Sequence, residues 1–426
     1  MALVLIGSFF LLLLLDVPVA ASMGLAAALG MLYGGFGLSS VATVFYSAIA
    51  KFTMLAIPFF ILAGVVMEYA GISKRLVRLA NAFIGHKKGG LAVVTVVASC
   101  FFAAISGSGP ATVAALGGTL IPAMEDDKYD KKFATAVVAA SGGIGMVIPP
   151  SIPFVIYAMI TEVSIGGMFI AGIVPGLVLG AAFAITAILI LRKDTNIVVR
   201  PKASGKERWS ALKDAFWGIL SPIIILGGIY GGFFTPTEAA GVAVVYSLFV
   251  GMVIYKEIKI KDLPKIFKKA CESSAVIMFI MGAAGAFSWI LTTSGLAGIL
   301  SRGLLSVSSN NAILLLLITI IFLIAGCFVD SASGFYLLLP IIMPVVYSIG
   351  MNPYAFGVLA TINFAIGQIT PPVGSNLFVA CNMANISMKQ LVSRVWPFVI
   401  AGVIALLIMT YIPQIITFLP HLMGMI

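Results

Sequence analysis

Long apolar stretches with few charges between them dominate the pattern of this chain. Four of these stretches contain no charged residue and cover residues 216–230, 239–254, 313–324 and 398–412. A helix that crosses the hydrocarbon core of a bilayer needs about 20 mainly apolar residues. Runs of this kind therefore predict helices that span a membrane.

The rest of the chain also divides into apolar segments separated by short polar turns. One stretch, 72–83, alternates basic and apolar residues at helical spacing, which is typical of a helix in the membrane interface. Several other segments are too short to span a bilayer alone. The apolar segments predicted are 2–15, 18–36, 53–70, 90–105, 110–123, 133–148, 151–161, 166–192, 215–232, 237–255, 272–292, 312–328, 332–348, 354–369, 373–383 and 395–417.

Composition and charge support the same class of protein. Hydrophobic residues make up 61% of the 426 positions and charged residues only 9%, too little charge to solvate a soluble chain of this size. The first basic residue is Lys51, so the opening segment lacks the basic region of a signal peptide and is expected to be a retained membrane segment.

The net charge of +10 comes mainly from three short loops. Eighteen of the 25 lysines and arginines lie within 74–88, 192–213 and 256–269. Basic clusters beside membrane segments mark the cytoplasmic side. This distribution argues against nucleic-acid binding and predicts that the three loops are cytoplasmic.

Two parts of the chain share a pattern of Gly and Pro. IGMVIPPS at 144–151 resembles IGQITPPV at 366–373, at an offset of 222 residues. Transporters are often built from two related halves that meet at a binding site near the membrane midplane. We therefore predict an internal repeat, and its inversion is left open. The matching pairs are Pro122 and Pro344, Gly145 and Gly367, Pro149 and Pro371, Pro150 and Pro372, Pro175 and Pro397, and Gly180 and Gly402.

Four interruptions break the apolar segments at matching places. The turn SGSGPAT at 106–112 corresponds to VDSASG at 329–334, and the IPP of 148–150 corresponds to the TPP of 370–372. Glycine frays a helix end, and a double proline removes two amide donors from the helical ladder. Such backbone is tolerated at membrane depth only where it is buried or lines a cavity. We therefore predict that the breaks form the binding site.

The chemistry of the breaks predicts two kinds of ligand. The prolines should free the carbonyls of Gly145 and Ile148, and those of Gly367 and Thr370 in the other half. Oxygen atoms of this kind suit a small hard cation such as Na⁺. Free helix N-terminal amides and serine hydroxyls suit an anionic substrate. Each break also has a simpler interpretation as a helix kink, and Asp330 as a helix N-cap.

Other functional classes find little support in the sequence. The chain has two histidines and four scattered cysteines, which give no metal pattern and no obvious nucleophile with a base, so we expect no enzyme and no cofactor beyond Na⁺ as coupling ion. No GxxxxGK[ST] loop for ATP is present, and no repeated ring of charge predicts a channel pore. A proton-coupled carrier of similar fold that acts without a binding protein is the alternative left open.

Four motifs together resemble the large membrane subunit of TRAP (tripartite ATP-independent periplasmic) transporters. They are ISGSGPATVAALG at 105–117, GGIGMVIPPSIP at 142–153, GGFFTPTEAAGVAVVY at 231–246 and INFAIGQITPPVGSNLFVAC at 362–381. The resemblance implies sodium-coupled uptake of a small carboxylate, of the C4-dicarboxylate or sialic acid type, across the bacterial inner membrane. It also implies two partners, a small four-helix membrane subunit and a periplasmic substrate-binding protein. We expect the small subunit to be a separate polypeptide.

The same resemblance implies ligand residues at the four breaks. The substrate is expected between the two hairpin tips. The residues implied for sodium are Ser106, Ser108, Gly145, Ile148, Pro149, Gly326, Gly367, Thr370 and Val373, and those implied for the substrate are Ser108, Asp330, Ser331, Ser333 and Asn363.

The expected fold class is an all-α polytopic membrane protein of the elevator type. It would contain two inverted structural repeats, each with a re-entrant helical hairpin and a broken helix. The expected regions are scaffold helices and an interfacial helix at 1–88, the first repeat at 89–192, basic loops and a central helix pair at 193–270, and the second repeat with the C-terminal helix at 271–426.

Overall fold

The computed structural model describes residues 1–192, 194 and 196–425 and is all-helical over that part of the chain. Lys193 and Thr195, in the basic loop expected at 192–213, lie outside the described residues. The helices of the first half are α1 Ala2–Leu14, α2 Val19–Tyr33, α3 Gly37–Ile49, α4 Ala56–Tyr69, α5 Ile72–Ile84, α6 Gly90–Ser106, α7 Gly109–Asp126, α8 Lys131–Gly143, α9 Ile152–Thr161 and α10 Ile165–Leu191.

The second half continues with ten further helices among the described residues. Across both halves, eight helical segments of the described chain are long and apolar enough to cross a membrane. The helices are α11 Gly205–Tyr230, α12 Pro236–Phe249, α13 Leu263–Thr293, α14 Leu296–Val307, α15 Asn311–Phe328, α16 Ser331–Ser348, α17 Pro353–Gly367, α18 Ser375–Ala384, α19 Met388–Tyr411 and α20 Gln414–Leu422.

Two helices, α3 and α14, were not among the predicted segments, and α20 overlaps only the end of one of them. Helix α3 mixes Ser and Thr with apolar residues, and α14 contains two glycines and Arg302, so neither forms an apolar run. The segment predicted at 395–417 is divided in two, because α19 ends before Pro413 and α20 begins after it. Periodic apolar runs therefore identify the membrane-spanning helices better than the short ones between them.

Two helices begin well before the predicted start. Helix α11 begins at Gly205 rather than near 215, because Ser204 and Glu207 form a reciprocal capping box. Helix α13 begins at Leu263 rather than near 272, with a proline in its first turn, where the missing amide costs no hydrogen bond. Both helices therefore start inside loops that the sequence marked as basic.

Charged contacts gather the basic loops at one end of the molecule. Arg75 of α5 bonds Asp214 at 3.3 Å and Glu257 at 3.0 Å. Lys88 donates to the Arg192 carbonyl at 3.0 Å. Both ends of the α6–α7 pair lie here, because Asp127, just after α7, pairs with Arg200 at 2.7 Å. We call this the charged end.

A second set of contacts defines the opposite end. The Tyr157 hydroxyl donates to the Pro353 carbonyl at 2.8 Å, and the Ser164 amide donates to the Tyr354 hydroxyl at 3.3 Å. The first turn of α15 and the residue after α16 also meet, because Asn311 donates to the Ile349 carbonyl. The α6–α7 and α15–α16 pairs therefore enter the molecule from opposite ends.

The helices after each pair follow the same order. Helix α7 occupies 109–126 and α16 occupies 331–348, which is the predicted offset of 222 residues. Each pair is followed by a helix, a break and a short helix, α8 and α9 in one half and α17 and α18 in the other, and then by a long helix, α10 or α19. We call α6–α7 hairpin 1 and α15–α16 hairpin 2.

An aromatic cluster packs hairpin 2 against both halves. The ring centroids of Phe335 and Phe364 lie 5.1 Å apart, and those of Phe322 and Phe364 lie 5.5 Å apart. Tyr157 of α9 joins the cluster at 5.7 Å from Phe335. Edge-on aromatic pairs of this kind stabilise a packed core beyond their buried area. The cluster fixes the second break beside the short helix of the first half.

Candidate functional site

The tip of hairpin 1 is a tight turn with an open helix start. Gly107 has a φ of +61°, a left-handed conformation that favours glycine, and Ser108 is extended before α7 begins. The Ser108 side chain makes no capping hydrogen bond to α7, whose second position is Pro110. Amides at the start of α7 are therefore left without a side-chain cap.

A small group of hydroxyls lies directly behind this turn. The Thr112 hydroxyl donates to the Ser108 carbonyl at 2.8 Å, and the Ser106 and Thr112 hydroxyl oxygens lie 2.9 Å apart. Both side chains are buried. Buried oxygens clustered in this way suit a small cation or a bound water.

The break between α8 and α9 packs against the same group. A Cβ atom on Gly145 would contact the Thr112 hydroxyl and would lie 2.8 Å from the Ser108 carbonyl oxygen. The Ile152 amide donates to the Gly107 carbonyl at 3.2 Å. The structure thus brings together three residues predicted for sodium, Ser106, Ser108 and Gly145.

The helical ladder opens at this break as the prolines predict. The amides of Val147 and Ile148 both donate to the Ile144 carbonyl, so neither reaches the carbonyl of Gly145. Ser151 is the N-cap of α9, and its hydroxyl accepts a hydrogen bond from the Phe154 amide. The predicted sodium residues Ile148 and Pro149 lie within this open segment.

The tip of hairpin 2 differs because its helix start is capped by a carboxylate. Asp330 accepts hydrogen bonds from the amides of Ala332 at 2.9 Å and Ser333 at 3.4 Å, and from the Ser333 hydroxyl at 2.6 Å. A charged N-cap satisfies helix amides and interacts favourably with the helix dipole. The N-cap interpretation of Asp330 is therefore confirmed, and its contact with substrate stays a prediction.

The second break lies against the end of α15 rather than against the tip. A Cβ atom on Gly367 would lie 2.6 Å from both the Cα atom and the carbonyl oxygen of Gly326. The amide of Val373 donates to the Cys327 carbonyl at 3.3 Å. The structure therefore brings Gly326, Gly367, Thr370 and Val373 close together, and their role as sodium ligands stays a prediction.

One expectation for this second break is wrong. The Gly367 carbonyl was expected to lose its partner at the double proline, but it accepts a hydrogen bond from the Thr370 amide at 2.9 Å. The Thr370 hydroxyl in turn donates to the Ile366 carbonyl at 2.7 Å. A short turn forms before the prolines, so the ladder ends with fewer free carbonyls than in the first half.

A cavity of about 200 Å³ lies between the two hairpin tips, and we call it the central cavity. Ser108, Asp330 and Ser331, all predicted for substrate, line its wall. Ser333 is buried against Asp330, and Asn363 is buried with its side-chain nitrogen bonded to the Leu359 carbonyl at 2.8 Å. These last two predicted residues do not line the cavity.

Sequence reasoning missed several residues of the central cavity. Ile277 and Ile280 of α13 line it, but an isoleucine in an apolar helix carries no functional signal. Ser375 lines it as well, and so does Gln368, which the sequence marks as a functional candidate because it is a polar group in an apolar run. Their polarity was the available signal, because polar groups inside a membrane bundle are costly unless they serve packing or function.

Two amide side chains of the second half meet hairpin 1 beside this cavity. A Cβ atom on Gly109 would lie 2.7 Å from Gln368 Oε1 and 2.9 Å from Asn376 Oδ1. Asn376 also donates to the Ala139 carbonyl at 3.3 Å. A side chain at position 109 would therefore have to displace the amide groups of Gln368 and Asn376.

Over the described residues the fold is that of a polytopic helical membrane protein, with eight helical segments long and apolar enough to cross a membrane. The family model described as "Tripartite ATP-independent periplasmic transporter, DctM component" matches residues 6–415, and the chain belongs to this family of TRAP transporter large permeases.

Relatives of the chain support the assignment over its whole length. The C4-dicarboxylate TRAP transporter large permease protein DctM of Rhodobacter capsulatus is 36% identical, with 100% of each chain covered. The sialic acid TRAP transporter large permease protein SiaM of Vibrio cholerae is 37% identical, with 96% of each covered. The isethionate TRAP transporter permease protein DctMQ of Oleidesulfovibrio alaskensis is 40% identical over 97% of this chain, which spans 65% of that protein.

A solved structure shares the fold. The crystal structure of the Alcanivorax borkumensis YdaH transporter, described as having an unusual topology, matches with a TM-score of 0.64, and 88% of each chain is covered. The identity is 14%, so this likeness concerns the fold alone.

Proposed function

We propose that this chain is the transport core of a sodium-coupled TRAP system that imports a small organic carboxylate across the bacterial inner membrane. The observation that carries the proposal is the central cavity, where the uncapped start of α7 and Ser108 face a space of about 200 Å³. Helix N-terminal amides bind anions, and a cavity of this size suits a small one.

Sodium would bind in the two breaks that flank the cavity. Oxygen atoms of Ser106, Ser108 and Thr112 cluster against Gly145 in the first half. Thr370 lies beside the contact of Gly326 with Gly367 in the second half. A bound ion would hold each broken helix in the geometry that the substrate requires, which couples the two ligands.

The transport step would move the two hairpins and their broken helices as one body against the remaining helices. Hairpins that enter from opposite ends, with elements at one offset of 222 residues, support two inverted repeats. Inverted repeats around a midplane site give a transporter two alternative openings. Substrate bound between the tips would then reach the charged end, which the basic loops assign to the cytoplasm.

Two partners complete the proposed system. A small four-helix membrane subunit would join the scaffold, and a periplasmic binding protein would deliver the substrate. The names of the relatives as components of TRAP transporters support this arrangement over a carrier that acts without a binding protein. Their named substrates, C4-dicarboxylate and sialic acid, support a carboxylate as cargo.

The test is the thermal stability of the purified chain in detergent, titrated with NaCl against KCl and choline chloride. A ligand that binds only the folded state stabilises it by about 2.7 kcal/mol at 100 times its dissociation constant. We expect a sodium-selective rise in the midpoint. Ser106→Ala and Thr370→Val should each reduce this rise, because each removes one candidate oxygen ligand.

Thr361→Val is the matched control for Thr370→Val. Thr361 lies on α17, the helix that precedes the break, and its hydroxyl makes the same bond to the carbonyl four residues earlier, at 2.8 Å, but it is two turns from the break. Equal midpoints in the three salts would contradict sodium coupling and favour the proton-coupled alternative. A sodium response that Thr361→Val reduces as much as Thr370→Val would contradict the site.

A further inference from the structure

An ion pair joins two helices outside the breaks described so far. Lys269 of α13 donates to both carboxylate oxygens of Glu68 of α4, each at 2.9 Å. Both side chains are half-buried, at 44% and 34% exposure. Each charge thus remains in reach of water and of a small ion.

This pair lies in the wall of a second cavity, of about 270 Å³, which we call the Lys269 cavity. The other side of that cavity is the tip of hairpin 1, with Ser106, Ser108 and Pro110. Glu68 and Lys269 are the charged residues of its lining.

The Lys269 cavity adjoins the central cavity. Four residues, Ser108, Pro110, Ile152 and Ile277, line both spaces. The two cavities are therefore separated only by the tip of hairpin 1 and two isoleucine side chains. The Lys269 cavity also lies toward the charged end, because Glu68 is two residues before the Ala70 carbonyl that Arg75 binds.

The local charge favours an anion at this place. Lys265 and Lys269 both lie near the Tyr69 ring, with their nitrogens 5.8 Å and 5.7 Å from its centroid. Glu68 is the carboxylate paired with this lysine cluster. One positive charge is therefore left over beside the cavity, and it raises the local concentration of anions.

We propose that Lys269 binds a carboxylate group of the substrate as it moves between the central cavity and the charged end, in exchange for Glu68. When no substrate is present, Glu68 pairs with Lys269 and neutralises its charge. The arriving carboxylate competes for the same ammonium group, so the site binds only transiently. This inference rests on the proposed function, since it requires a carboxylate cargo.

A purely structural ion pair makes a different prediction. If the pair only joined α4 to α13, removal of either partner would break it, and both variants would behave alike. If Lys269 binds substrate, removal of Glu68 frees the lysine and strengthens anion binding, whereas removal of Lys269 weakens it. The two substitutions then act in opposite directions.

The experiment measures the apparent affinity of the purified full chain for two carboxylates at fixed NaCl, from thermal-shift titrations with succinate and N-acetylneuraminate. We compare Glu68→Gln and Lys269→Gln with the wild type. For the anion that stabilises the wild type, we expect affinity to rise about tenfold in Glu68→Gln and to fall about tenfold in Lys269→Gln, in line with close charge pairs at other interfaces. Lys268→Gln is the control, because Lys268 is exposed and pairs with Glu272 at 3.9 Å.

The possible results separate this inference from the proposed function. Changes of the same sign in Glu68→Gln and Lys269→Gln, or no change in either, would overturn the role of Lys269 and leave the proposed function standing. An effect of Lys268→Gln as large as that of Lys269→Gln would also overturn it, since bulk charge would then explain the data. If neither carboxylate stabilises the wild type, the proposed function falls and this inference with it.

Discussion

The two hairpin tips occupy equivalent positions in the chain but differ in how the first amides of the following helix are capped. Ser108 precedes α7 and makes no cap, whereas Asp330 precedes α16 and accepts three hydrogen bonds from its first turn. Helix starts leave up to four amides without a partner. Hairpin 2 satisfies its own amides, and hairpin 1 leaves them available to a ligand.

Because of this difference, the two hairpin tips should interact differently with an anionic substrate. An anion that enters the central cavity meets free amides on one side and a carboxylate on the other. Like charges in a site of low dielectric repel strongly. The substrate carboxylate should therefore bind to hairpin 1, and Asp330 should orient it by exclusion or accept a substrate hydroxyl.

The glycines of the two breaks also differ in what they approach. Gly145 faces a hydroxyl and one carbonyl, whereas Gly367 faces only the backbone of Gly326. A side chain can rotate away from an added methyl group, but packed helix backbone cannot. A side chain is therefore harder to accommodate at position 367 than at position 145.

The largest effect is expected from alanine at the second break. Gly367→Ala should lower the free energy of unfolding by about 3 kcal/mol, against about 1.5 kcal/mol for Gly145→Ala, because overpacking against backbone is the more costly. Thermal midpoints in detergent measure both. Gly241→Ala is the control, since a Cβ there meets nothing within 4 Å. A larger loss at Gly145 would reverse the comparison.

A carboxylate placed on hairpin 1 should nearly abolish transport. Ser108→Asp gives α7 the cap that α16 has, so we expect unchanged or higher stability with roughly a hundredfold loss of uptake in proteoliposomes, as its charge occupies the substrate position. Ser108→Asn supplies a neutral cap and should lose less. Normal uptake by the Ser108→Asp variant would show that substrate does not bind at α7.

Replacing the carboxylate cap of hairpin 2 by serine should lower the stability of the protein. Asp330→Ser makes the second tip resemble the first, and loss of a charged cap is expected to lower the free energy of unfolding by about 1 kcal/mol. Ser108→Ala should leave stability within about 0.5 kcal/mol, because its side chain caps nothing. Equal losses in the two variants would mean that both tips are capped alike.

The smallest effect is expected at Ser333, whose hydroxyl bonds the carboxylate cap of hairpin 2. Ser333→Ala removes one hydrogen bond to Asp330, and the equivalent position of hairpin 1 is already Ala111. We expect a loss of about 0.5 to 1 kcal/mol, typical of a single side-chain bond. Chemical denaturation can measure this loss of unfolding free energy when the Ser331→Ala variant is measured in the same series. If Ser333→Ala lowers the free energy of unfolding more than Asp330→Ser does, Ser333 is the main partner of the Asp330 carboxylate.

The breaks could be located from the sequence because Gly and Pro have definite backbone consequences. The turn at 106–109 and the open segments at 144–152 and 368–374 lie where the glycines and prolines predict. The capping box at Thr235 and Glu238 was likewise predictable from TPTE, because the motif acts within one helical turn.

Contacts between distant segments could not be read in the same way. No local pattern of the sequence pairs Gly326 with Gly367, which only the family resemblance grouped, or places Gln368 against Gly109, because these approaches depend on how two halves pack. The same reason explains why Ile277 and Ile280 of the cavity wall were not predicted. Local conformational signals identify breaks, whereas the partners of each break follow from tertiary packing.

The attachment of α5 sets a mechanical limit on hairpin 1. Arg75 and Arg78 fasten α5 to Asp214 of α11, and only residues 85–89 connect α5 to hairpin 1. Two turn hydrogen bonds, Lys87 to Ile84 and Gly90 to Lys87, keep that connection coiled. Fully extended, its six steps reach about 20 Å. While Arg75 and Arg78 hold α5 on α11, this connection limits the distance between the end of α5 and the start of α6 to about 20 Å.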